Sequence, residues 1–107
     1  METNPPNNAI LDVNPDTVEA EDVRDAHALA LLALSITHLN IQETMDTFPD
    51  IRQKFKDQVS QDKLDVCKSN YNRAYEGFRE AYLHVAKKAY WDAMNTVANA
   101  TNHAIEC

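Results

Sequence analysis

The sequence predicts an all-α fold, an up-down helical bundle, on three observations. Glycine occurs once in 107 residues while hydrophobic content is 44%, which suits long helices and not a turn-rich β fold. Two successive stretches carry small and apolar residues at alternating four- and three-residue spacing, the seam a bundle helix presents to its neighbours. Ahead of them, Ala28 to Leu34 is apolar nearly all round, as befits a helix lying centrally in a bundle. A chain of this length holds one domain at most.

In chain order, residues 1–20 are rich in Asn, Pro and Asp. Each Pro disfavours helix in the residue before it, so this stretch is expected to be an extended or turn-forming lead-in to a helical domain over residues 21–107. The first long helix is expected to start near Thr17 to Asp22, where Glu19, Glu21 and Asp22 place negative charge at the positive helix end. Val23, Ala26, Leu29, Ala30, Ala33, Ile36 and Met45 recur along it at helical spacing. It should run to about Phe48, where Phe48-Pro49-Asp50 breaks it. Ile51 to Gln61 is polar and mixed in charge, and is expected to connect into a helix at Lys63, with continuity with that helix as the alternative.

From Lys63 to Cys107 the chain predicts a helical hairpin. Cys67, Tyr71, Ala74, Phe78, Ala81 and Val85 form one stripe; Tyr90, Ala93, Val97, Ala100, Ala104 and Cys107 form the next. Two amphipathic helices joined by about three residues at Lys87-Lys88 fold back antiparallel. Cys67 lies 20 residues before Lys87 and Cys107 lies 17 after Tyr90. At ~1.5 Å rise per residue the two sulfurs differ in height by about 5 Å, so a disulfide across the open end is allowed; two unpaired cysteines are the alternative.

The run Cys67-Lys-Ser-Asn-Tyr71-Asn-Arg-Ala74-Tyr-Glu-Gly-Phe78-Arg-Glu-Ala81 resembles the C-x3-Y-x2-A-x3-L-x2-A signature of the plant invertase and pectin methylesterase inhibitor family. Tyr90, Ala98-Asn-Ala100 and Cys107 stand where that pattern continues with a turn, a Tyr, a small-residue run and a second Cys. The resemblance covers roughly Ile10 to Cys107. It implies that Cys67 and Cys107 are bonded to each other. It also implies that three of four bundle helices are represented, without the N-terminal hairpin that carries the family's first disulfide. The chain is therefore expected to be a truncated form of a secreted protein, although Met1-Glu-Thr-Asn-Pro-Pro has neither the basic start nor the apolar core of a signal peptide. Three helices would leave an apolar groove along the first helix and the hairpin, open to self-association or to a missing segment.

Composition narrows the function classes. A net charge of −7 argues against nucleic acid or an anionic membrane as partner, because both require a basic face. The longest uncharged apolar run, Ala28 to Leu34, is far short of the ~20 residues of a membrane span. Gly77 sits inside a helix, so no phosphate-cradling loop is expected. None of the three serines, at positions 35, 60 and 69, lies in a nucleophile elbow. The histidines at 27, 38, 84 and 103 lack the Glu three residues earlier that a di-iron bundle needs, and are expected to be surface or edge residues. Asp65, Glu76, Glu80 and Asp92 fall on outward faces and predict solvated surface. No metal, no cofactor and no enzymatic activity are expected. Asn99-Ala-Thr101 matches the N-glycosylation pattern, but its mid-helix position favours an unmodified Asn.

The family resemblance implies a proteinaceous inhibitor acting in the apoplast or cell wall, with pectin methylesterase or acid invertase as the protein target. An inhibitor needs a rigid face with well-placed polar contacts and no catalytic group. For pectin methylesterase the resemblance implies outward helix faces, here Asn72, Glu76, Arg79, Asp92, Asn95, Thr96 and Asn99. The loop by which the family's invertase inhibitors are told apart lies beyond the second cysteine of this pair, and the reading leans to the esterase. The second alternative is a non-inhibitory helical interaction protein or an inactive fragment.

Overall fold

A computed structural model describes residues 20–107, and the part of the expected lead-in that precedes them lies outside the described residues. All elements among the described residues are helices: α1 (Ala20–Asp46), α2 (Phe48–Lys54), α3 (Gln58–Ala86) and α4 (Tyr90–Ile105). The chain divides into two compact units, Met1–Ala30 and Leu31–Cys107. In the first, the described part is the opening of α1, where Val23 and Leu29 are exposed. The second contains the expected hairpin.

That hairpin is built on the two stripes. Ala74, Phe78, Ala81 and Val85 of α3 are buried, as are Ala93 and Ala100 of α4; Tyr71 and Val97 are half-buried beside them. Tyr90 departs from the inward pattern at 42% exposure, since it stands at the first position of α4, beside the turn. The turn is closed by backbone bonds from Lys88 N–H to Val85 O and Ala89 N–H to His84 O, both 2.8 Å, around Lys88 at φ 63°. This pair of bonds is the Schellman motif, with a lysine in the left-handed position that glycine usually fills. At the other end Cys67 and Cys107 form the disulfide, with Cα atoms 4.4 Å apart.

Asp46 ends α1, and Thr47 turns the chain with its hydroxyl donating to Thr44 O at 2.6 Å. Pro49 then stands in the first turn of α2, where its missing N–H leaves no helix bond unmade. The connection between the two long helices thus begins with a short helix of its own. The next helix starts at Gln58, so the end of that stretch is continuous with the helix expected at Lys63; Asp57, in extended backbone, caps it by accepting the Ser60 N–H at 3.0 Å. The Ser60 amide holds the Asp57 carboxyl below the usual carboxylate range.

Gln61 and Arg52 fasten α2 to α3. Gln61 Nε2 donates to Arg52 O (3.0 Å) and Phe55 O (2.6 Å), carbonyls at the end of α2. Arg52 returns a bond to Gln61 Oε1 at 2.6 Å and pairs with Asp65 at 2.5 Å. Asp65 is therefore exposed but paired, where the sequence suggested plain solvated surface.

Within Leu31–Cys107, α1 meets the hairpin through Leu34, His38, Ile41 and Met45. Ile41 is buried with Ala74, Phe78 and Ala100, and Leu34 and Met45 pack on that cluster. His38 lies half-buried against Tyr75, ring centroids 3.9 Å apart, and its Nε2 is buried without a hydrogen-bond partner. Ile36 is 50% exposed, and with Leu32 and Leu39 it forms a second apolar stripe facing away from the cluster. Because α1 is apolar on both sides, periodicity alone could not choose the face.

Candidate protein-binding face

Small residues set the geometry of the outer hairpin surface. A Cβ on Gly77 would lie 2.6 Å from Ala100 Cβ, so α3 and α4 approach there more closely than any larger pair would allow. Above this contact runs a shallow groove of about 420 Å³. Asn72, Arg73, Glu76 and Glu80 rise from α3 on one side; Thr96, Asn99 and His103 rise from α4 on the other.

Four of the seven residues expected on a target-binding face, Asn72, Glu76, Thr96 and Asn99, come together in this groove. Arg79, Asp92 and Asn95 are exposed but do not line it. Arg73, Glu80 and His103 were not anticipated. Their signal was available: Arg73, Gly77 and Glu80 follow one another at helical spacing on the flank of α3 beside its buried stripe.

The groove is polar and of mixed charge. Thr96 turns its hydroxyl back to Asp92 O at 2.8 Å. His103 is half-buried, with Nδ1 shielded from solvent and lacking a hydrogen-bond partner. The nearest carboxylate oxygen, of Glu106, stands 4.0 Å away, too far for a hydrogen bond. Two carboxylates, one guanidinium and two side-chain amides on rigid helices can exchange hydrogen bonds with a protein surface. Neither cysteine is available as a nucleophile, since both are in the disulfide. Among the described residues no group of three or more His, Cys, Asp or Glu is arranged to hold a metal ion, and no helix is long and apolar enough to cross a membrane.

No family model matches the chain, and no solved structure gives a significant match. Among curated proteins, pectinesterase inhibitor 5 of Arabidopsis thaliana is 26% identical over 97 residues, which take in 91% of this chain and 52% of the relative. The chain thus spans about half the length of the curated relative it matches. This similarity along nearly the whole chain, together with the disulfide-closed hairpin that carries the Cys-Tyr-Ala run, supports a relation between this protein and the plant pectin methylesterase inhibitor family.

Proposed function

We propose that the protein is an inhibitor of pectin methylesterase that acts in the plant cell wall and docks on its target through the α3–α4 groove. The observation that carries this reading is the similarity to a pectinesterase inhibitor over 91% of the chain. The groove adds a physical rationale. Its polar residues stand on two helices fixed to each other by a small-residue contact and a disulfide, so little ordering entropy opposes docking. The protein works by occupying a surface and carries out no chemistry of its own. The exposed stripe of Leu32, Ile36 and Leu39 supports self-association as a further property, checked by light scattering at rising concentration.

The test is a titration of oxidised protein into pectin methylesterase, with acid invertase run alongside. Loss of esterase activity alone, near one-to-one stoichiometry, is the expected result. Loss of invertase activity alone would move the target to the alternative, and no effect on either enzyme would overturn the inhibitory reading.

A further inference from the structure

A second cleft, of about 520 Å³, opens where the end of α1 and α2 meet α3. Its size falls within the range of small-ligand sites, ~300–1,000 Å³. Its walls are held from behind. Phe48 packs edge-on to Tyr71 with centroids 5.7 Å apart, Tyr75 is backed by His38, and Arg52 is fixed by Gln61 and Asp65. Phe48 and Tyr75 therefore offer preset apolar surfaces rather than mobile ones.

Two charged groups on the lining are held by no side chain in this way, although Glu76 also borders the α3–α4 groove. Lys68 and Glu76 make no hydrogen bond or ion pair among the described residues, although both line the cleft. Gln42 also lines it; its Nε2 is used by Asp46, which leaves the Oε1 acceptor free.

We propose that this cleft binds a uronic acid, the acidic, hydroxyl-rich ring of polyuronate chains. The apolar C–H face of a sugar ring fits against Tyr75 and Phe48. Lys68 takes the carboxylate in a charge-assisted bond, and Glu76 and Gln42 accept from ring hydroxyls. The two unemployed charges discriminate among ligands. A neutral sugar leaves Lys68 without an anion. An aromatic acid supplies an anion but no hydroxyl, so it gains nothing from Glu76. A hydroxylated acid satisfies both. Binding here requires no target enzyme, so it stands or falls apart from the inhibitory reading.

The experiment titrates the oxidised full chain with trigalacturonate, neutral galactotriose and benzoate, following backbone amides by NMR. Trigalacturonate is expected to give saturable shifts around Gln42, Phe48, Lys68 and Tyr75, with galactotriose and benzoate each at least about tenfold weaker. Lys68→Gln, an exposed substitution on a helix surface, should weaken trigalacturonate about tenfold and leave galactotriose unchanged. Absence of saturable shifts, shifts centred elsewhere, equal binding of galactotriose or benzoate, or an unaltered Lys68→Gln variant would each overturn the assignment.

Discussion

Gly77 and Ala100 face each other across the hairpin with no room for one more methyl group, the ideal Cβ on Gly77 falling 2.6 Å from Ala100 Cβ. Gly77→Ala gains about 1 kcal/mol of helix preference, but overpacking a tight contact costs about 1–3 kcal/mol. The expected outcome is a net loss of about 1 kcal/mol in urea unfolding. Adding Ala100→Gly should relieve the clash, so the double-mutant cycle, in which the helix-preference changes cancel, should return a coupling of about 2 kcal/mol in favour of the pair. Additive losses would mean that the helices part without strain.

This contact also marks how far the sequence could be read. The alternating stripes gave the hairpin, its three-residue turn and the inward positions of Ala74, Phe78, Ala81, Ala93 and Ala100, because a small-residue seam has one period and one solution. The sulfur positions followed from helix rise. What the pattern hid was everything decided by a single polar bond or by a choice between equal faces. Asp57 caps α3 through one carboxylate, a signal three residues long in a polar stretch. Gln61 and Arg52 bind α2 through contacts nine residues apart, which no periodicity encodes. In α1, Ile36 and Ile41 belong to opposite apolar stripes, and only the tertiary partner selects Ile41. On the candidate face, outward positions were legible one by one. Which of them share a groove depends on how α3 and α4 flank each other at Gly77.

Lys88 occupies left-handed backbone at φ 63° to complete the helix-ending bonds of α3. That conformation costs a residue bearing a Cβ about 1–2 kcal/mol, and glycine returns part of the gain as extra freedom in the unfolded chain, about 0.5–1 kcal/mol. Lys88→Gly should therefore stabilise the protein by about 0.5–1 kcal/mol, read as a higher thermal midpoint. Lys87→Gly, one residue earlier with φ −89°, should not.

Asp57 gives the stability a defined acid limb. Its folded pKa is depressed by the Ser60 amide, so its contribution is fully present above the unfolded value of about 3.9 and is lost as pH falls through the folded value. Asn caps helices about as well as Asp but does not titrate. Asp57→Asn should match the parent near neutral pH, and the stability difference between the two should change only below about pH 4, with the parent losing more. A difference that is constant with pH would show that the carboxylate charge plays no part in the cap.

The disulfide closes the hairpin over a sequence separation of 40 residues. In the chain-entropy account a loop of this length is worth about 4 kcal/mol. Reduction, or Cys67→Ser with Cys107→Ser, should lower unfolding free energy by up to that amount and should separate the ends of α3 and α4 first. Hydrogen exchange should report it as faster exchange near residues 67 and 107, with the layer at Ala81, Val85 and Ala93 still protected.

The proposed docking face can be separated from the rest of the surface by adding bulk rather than removing it, since truncating one contact of many often changes little. Asn99→Arg projects a long cation into the groove from an exposed helix position, so folding should be affected by less than about 0.5 kcal/mol. If the groove meets the esterase, this variant should raise the concentration needed for half-inhibition by at least about tenfold. Trp91→Ala removes a side chain that is 73% exposed and outside the groove, and inhibition should stay as in the parent. Arg79→Glu probes an exposed part of the α3 flank that does not line the groove. Inhibition insensitive to Asn99→Arg but lost in Arg79→Glu would place the contact on that flank, and the groove would then be a consequence of the Gly77–Ala100 approach with no part in binding.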